Sequence, residues 1–219
     1  MNPQRRKILA TLVMSLAVAP AIAQRKAVPQ AGTEYQVLAQ PLPLESATKV
    51  EVIEFFWYGC PHCFAFEPVL APWTKKLPGS VLFNRVPAVF NETWEPHAKL
   101  YYALEILGEA ERLHKVIFDA IHRDHKQLAT EASIGEFLEL HGIPRRKFTD
   151  TYNSFSVNSK ILRSKQLQSA YKIDGVPAMG VDGRYWTSAT LLGGSHAAVL
   201  PVVEYLIGEA RKYHKLPKA

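Results

Sequence analysis

Val50-Glu51-Val52-Ile53-Glu54-Phe55-Phe56-Trp57-Tyr58-Gly59-Cys60-Pro61-His62-Cys63 reads as a strand running straight into a helix. The β-branched and aromatic run from Val50 to Trp57 has strand length, is bounded by Gly59, and predicts a buried central strand that contains two acids, Glu51 and Glu54. The residues from Pro61 to Trp73 have helical composition. Pro61 is tolerated there, because a first-turn N–H has no partner inside the helix. Cys60 therefore sits where a strand ends and a helix begins.

That location has a chemical consequence. Unpaired first-turn amides and the helix dipole stabilise negative charge by some tenths to about 1 kcal/mol each, and a protonated His62 adds to the effect. A favoured thiolate makes Cys60 a nucleophile and a good leaving group, and it favours the dithiol over the disulfide. Such a pair oxidises others. Cys63, one turn on, is expected to be buried and to resolve the bridge.

Cys60 and Cys63 are the only cysteines among 219 residues, so they act together or with another molecule. As a structural staple the pair would be weak, since so short a loop removes only about 2 kcal/mol of unfolded-state entropy. A zinc site would need two more ligands, and His122 and His125 lie outside finger spacing. No metal is expected.

Ahead of this motif, Arg5, Arg6 and Lys7 precede an apolar run, Ile8 to Ala19, that ends in Pro20-Ala21-Ile22-Ala23. This is a signal-peptide pattern over residues 1–23 with cleavage before Gln24, and the run is short for a membrane span. An uncleaved anchor and a twin-arginine signal are the competing readings. Removing three basic residues and no acidic ones lowers the formal charge from +6 to +3, which withdraws the main support for nucleic-acid binding. The clusters Arg145-Arg146-Lys147 and Arg211 to Lys218 are short and read as solvated helix ends. With 47% apolar and 21% charged residues, the chain has the composition of a globular protein, and export places the cysteines where disulfides persist.

Residues 24–48 read as an extended arm with a weak strand around Tyr35 to Leu38, and a further strand is predicted at Val81 to Val86. From Thr93 to about Tyr171 the pattern is helical. Leu100, Ala103, Leu104 and Leu107 form a stripe capped by Gly108, Leu113 to Ile121 repeat it, Thr130 opens a third helix, Pro144 a fourth, and Val157 to Tyr171 a fifth. The strand period returns at Val176 to Val181, Asp182-Gly183 predicts a hairpin turn, and Ser195 is an N-cap for a last helix to about Tyr213 with Pro201 inside it. A parallel crossover in front and an antiparallel hairpin behind predict a mixed sheet, an α/β (α+β) architecture with the helical block between its halves.

Two further elements support redox chemistry. Glu54 shares a strand face with Phe56, opposite Phe55, so its carboxyl is either buried near the sulfurs, with a raised pKa and a proton to exchange with Cys63, or an ion-paired or exposed edge acid. At Val176-Pro177, a cis bond would turn the Val176 backbone toward a neighbouring site.

Glu54 to Cys63, taken with Gly175-Val176-Pro177-Ala178-Met179-Gly180-Val181-Asp182-Gly183-Arg184-Tyr185, resembles the DsbA family of periplasmic thiol:disulfide oxidases over essentially the whole mature chain. The resemblance implies a thioredoxin fold with an inserted all-helical domain, residues 24–90 and 173–219 forming the first and 91–172 the second. It implies Cys60 as the attacked and attacking cysteine, Cys63 as the resolving one, His62 as thiolate stabiliser and Glu54 as the buried acid. Pro61, Val176 and Pro177 would line the substrate site. It further implies reduced, unfolded secretory proteins as substrates, a DsbB-type quinone-linked membrane oxidase as partner, a monomer, and no cofactor. An isomerase or reductase, or a peptide-binding chaperone that keeps the cysteines as a relic, are the alternatives. The chain departs from thioredoxin-like proteins in lacking a lysine on Val81 to Val86, where Arg85 is the only cation, and Gly59 beside the thiol is expected to open a docking surface.

Overall fold

The computed structural model describes residues 28–214, so the expected leader at residues 1–23 lies outside the described residues. Five strands, β1 (Gln36–Val37), β2 (Val50–Phe56), β3 (Val81–Pro87), β4 (Ala178–Val181) and β5 (Tyr185–Ser188), form one sheet in the order β1-β5-β4-β2-β3. Only β2 and β3 run parallel; the other pairs are antiparallel, as the crossover and the hairpin require. The sheet is mixed, and the fold is that of thioredoxin.

β2 is central and every one of its residues is buried. Strand alternation sends Val50 and Val52 to one face, where they pack with Phe66, Leu70, Val203 and Leu206. Ile53 and Phe55 go to the other, against Tyr171 and Ile173. The first face is covered by α1 (Pro61–Thr74) and α7 (His196–Ala210). Phe56, at the end of the strand, leaves the sheet core and joins a third cluster with Tyr58, both cysteines and the interior of the helical block.

That block lies between β3 and β4 in the chain: α2 (Glu95–Leu107), α3 (Ala110–His122), α4 (Glu131–Leu140), α5 (Arg145–Tyr152) and α6 (Phe155–Tyr171). Its stripes are core faces: Leu100, Ala103 and Leu104 of α2 meet Leu113, Ile117 and Phe118 of α3 in one buried cluster. Gly108 caps α2 at φ 75°, and Thr130 caps α4 through a reciprocal bond with Ser133. Asp182 and Gly183 take φ 56° and 60°, the two positive angles that a tight antiparallel hairpin demands.

The differences from expectation are at element ends. β2 stops at Phe56 because Trp57 turns out of the ladder to stack on Trp94, ring centroids 4.1 Å apart and ring planes nearly parallel. β4 starts at Ala178, since Pro177 has no N–H to give the ladder; the Val176–Pro177 bond is cis. The last helix gives way at Ala210 to a 3-10 turn over Arg211–Tyr213, and it carries Pro201 within its first turns without interruption. Among the described residues no helix is long and apolar enough to cross a membrane.

Candidate active site

Cys60 is the N-cap of α1, with extended backbone, and its sulfur accepts the Cys63 N–H at 3.4 Å. A sulfur in the N-cap position replaces the oxygen that Ser or Asp would offer, so the first-turn amides are satisfied best by an anion. Both cysteines are free thiols, Cys60 7% exposed and Cys63 fully buried. Pro61 occupies the first helical turn and His62 is exposed beside it, its ring 5.9 Å from that of His196. The Cys60 thiol reaches the Val176 carbonyl at 3.5 Å. The structure thus brings Cys60, Pro61, His62, Cys63, Val176 and Pro177 together, although 116 residues separate Cys60 from Val176.

The two sulfurs are driven apart in acidity. Donation from the Cys63 side chain, aided by the Cys63 and His62 amides and the His62 charge and opposed by burial, lowers the Cys60 pKa to about 6. Burial, reinforced by Cys60 and by the charge of Glu54, pushes Cys63 well above the ordinary thiol value.

Glu54 is fully buried, and burial together with the nearby Glu67 carboxylate raises its pKa to about 8, against the pull of Arg85. Its Oε2 accepts from Arg85 Nε at 3.0 Å, while its Oε1 is buried with no partner. Arg85 lies directly across the parallel ladder from Glu54, and this register makes it the cation paired with the buried acid. Both halves of the sequence reading of Glu54 meet here, since the carboxyl is buried and also ion-paired.

A Cβ at Gly59 would come within 2.4 Å of the Trp57 ring, so the glycine makes room for the Trp57–Trp94 stack beside the thiol.

Several residues near the site escaped sequence reasoning. Glu67 of α1 accepts from Arg85 Nη2 at 3.3 Å, and His114 of α3 approaches it at 3.2 Å. Tyr58 is fully buried and bonds His114, while His122 contacts the Tyr58 carbonyl at 2.7 Å and stacks on Phe64. Glu67 stands four residues after Cys63 and so on the same helix face, a signal the sequence did contain. His114 is hidden in an ordinary amphipathic stripe. Glu54, Glu67 and His114 bring three ligand-type atoms within 4.8 Å of one another, but Arg85 supplies the positive charge between the carboxylates.

A sulfur favoured as an anion, one turn before a sulfur held as a thiol, is the chemistry of a thiol:disulfide oxidoreductase, here on a thioredoxin fold. Residues 83–199 match the DSBA-like thioredoxin domain family. The thiol:disulfide interchange protein DsbA of Pseudomonas aeruginosa is 39% identical over 206 residues, covering 94% of this chain and 97% of that protein. Its counterpart from Burkholderia cepacia is 41% identical over 208 residues, covering 94% and 98%. The crystal structure of Pseudomonas aeruginosa DsbA superposes with a TM-score of 0.80 at 42% identity, covering 84% of this chain and 95% of that one. An oxidoreductase DsbA from Xylella fastidiosa gives 0.79 at 29% identity, covering 85% and 100%. The chain belongs to the DsbA family.

Proposed function

We propose that this protein donates its Cys60–Cys63 disulfide to reduced, unfolded secretory polypeptides in the periplasm. A substrate thiolate attacks Cys60, the Cys60–Cys63 bond breaks, and Cys63 leaves. Because Cys63 is buried and disfavoured as an anion, it takes a proton, and Glu54 is the group that gives it. A second substrate thiolate then attacks the substrate sulfur of the mixed disulfide and Cys60 departs as a thiolate. Two electrons have passed from substrate to the cysteine pair. His62 adds positive charge beside the leaving sulfur. Pro61, Val176 and Pro177 border the sulfur, and an extended substrate strand along the Val176 backbone would be held through main-chain groups, which supports broad specificity.

The observation that carries this reading is the Cys63 N–H directed at the Cys60 sulfur at the head of α1. With Cys60 at about 6, its thiolate is about tenfold populated over its thiol at pH 7, which tilts the couple toward the dithiol by about 30 mV. The tilt favours an oxidase over a reductase or isomerase.

Reoxidation of the pair by a DsbB-type quinone-linked membrane oxidase, export by the leader at residues 1–23, and action as a monomer complete the proposal. Division into a thioredoxin-like unit of 24–90 and 173–219 and a helical unit of 91–172 is supported by the placement of α2 to α6 between β3 and β4. The test is oxidation of a reduced, denatured protein with two cysteines. The wild-type disulfide form restores its bridge, and Cys60→Ser abolishes this. Unchanged action by Cys60→Ser would favour a binding module, and equilibration with glutathione at a potential near that of thioredoxin would refute the oxidase.

A further inference from the structure

A continuous line of buried contacts leads to Glu54, and its other members play no part in the steps above. The Tyr58 hydroxyl meets His114 Nδ1 at 3.0 Å, and His114 Nε2 meets Glu67 Oε1 at 3.2 Å. Arg85 Nη2 reaches both Glu67 oxygens at 3.3 and 3.5 Å, and its Nε holds Glu54. The polarity of this line follows from the charge on Glu67. An ionised carboxylate only accepts, so Nε2 carries a hydrogen; the phenol O–H then donates to a bare Nδ1, and both ring nitrogens of a neutral imidazole are satisfied.

One guanidinium faces two carboxyls, so a buried excess of negative charge is avoided when the pair keeps a single proton. Its seat is decided by the donors around each partner. Glu67 receives His114 and Arg85, and it lines a cavity of about 360 Å³ between α1 and α3 with Phe64, Lys115 and Phe118. Glu54 receives Arg85 alone, and its Oε1 has no partner. We infer that His114, oriented by Tyr58, is a positioning residue that confines the shared proton to Glu54 by holding Glu67 as the anion. This rests on the reading of Glu54 as proton donor to Cys63. The proton is thereby stored on the carboxyl with the free oxygen and kept off the one that lines the cavity.

The surrounding charges agree with that assignment. Glu67 is faced by Arg85 from β3, by Glu54 from β2, and by His114 and, through Arg85 at 4.0 Å, the exposed Glu111 from α3. Lys115 and Arg123 stand at the cavity, each paired with Asp119, and burial holds the phenols of Tyr58 and Tyr101 near Arg85 in the neutral form. Burial drives Glu67 up, yet the His114 bond and Arg85 outweigh it and leave it below the usual carboxylate value. Burial drives His114 itself toward the neutral form.

The test reads which carboxyl is protonated, by infrared spectra of the reduced full chain near pH 7. In the wild type a protonated-carboxyl band is expected that Glu54→Gln removes and Glu67→Gln shifts but does not transfer. In His114→Phe, which fills the space without a donor, the ratio of protonated Glu54 to protonated Glu67 should fall about tenfold or more. The rate of reduction by a small dithiol should then begin its alkaline fall about one pH unit lower. Tyr58→Phe, which removes one hydroxyl from the line, should move both readouts the same way by less. A band that stays on Glu54 in His114→Phe, or an unmoved pH profile, overturns the inference. If His114→Phe does not fold, absence of any movement in Tyr58→Phe overturns it instead. The thiolate absorbance of Cys60, recorded on the same samples, separates the two claims: ordinary cysteine ionisation in the wild type refutes the oxidase reading, whereas low ionisation with an unmoved carboxyl band refutes only the role of His114.

Discussion

Lowering the pH from 8 to 5 should weaken the dithiol form of this protein more than its disulfide form. The Cys60 thiol is held at about 6, first by donation from the Cys63 side chain and then by the helix-terminal amides, against about 8.5 for cysteine in an unfolded chain. A group whose folded pKa is depressed adds stability that is complete above the unfolded value and disappears as the pH falls through the folded value. The window is therefore about 6 to 8.5. The whole gap of about 2.5 units makes the reduced protein about 2.5 kcal/mol less stable at pH 5 than at pH 8; halving the shift for solvent screening on the open side of the sulfur leaves about 1 kcal/mol. Urea unfolding of both redox forms, followed by fluorescence at unit steps of pH, measures the effect. The difference between the two forms is the quantity to plot, because carboxylates common to both largely cancel in it. Reduced Cys60→Ser should show no such slope. A difference that is flat between pH 5 and 8, or that grows as the pH falls, would refute the claim that the fold stabilises this thiolate.

Three other outcomes follow from the same geometry. Cys63→Ala should raise the midpoint of the Cys60 thiolate absorbance titration by about one unit or more, whereas Cys63→Ser, which keeps a donor, should leave it closer to about 6. Arg85→Met should cost about 3–5 kcal/mol in denaturant unfolding at pH 8, since it strands Glu54 and Glu67 together, and the cost should shrink toward pH 4 as both carboxyls protonate. Gly59→Ala should cost about 1–3 kcal/mol and alter tryptophan emission, because the added methyl overlaps the Trp57 ring and parts it from Trp94.

The fold was legible wherever a local pattern had one physical meaning. The run Val50 to Phe56 has no amphipathic helix within it, Asp182-Gly183 suits both positive φ angles of a tight turn, and Thr130 with Ser133 caps a helix in any context. Cys60 and Cys63 were legible because they are the only cysteines and stand at a helix start. The partners of the buried acid were less so. Arg85 is 31 residues from Glu54, and only the register of two parallel strands sets them side by side. His114 lies in a stripe that packing alone explains, so its bonds to Tyr58 and Glu67 leave no mark in the periodicity of α3.

The amino-acid sequence alone determined the strand, the helix and the sulfur at their junction, because these follow from propensity, spacing and the unpaired amides of a helix start. The tertiary structure decided which charges meet. Whether Glu54 is paired, by what, and which carboxyl is left without a donor depend on how β2, β3, α1 and α3 converge, and ionisation in a buried site is set by neighbours that the chain brings from far away.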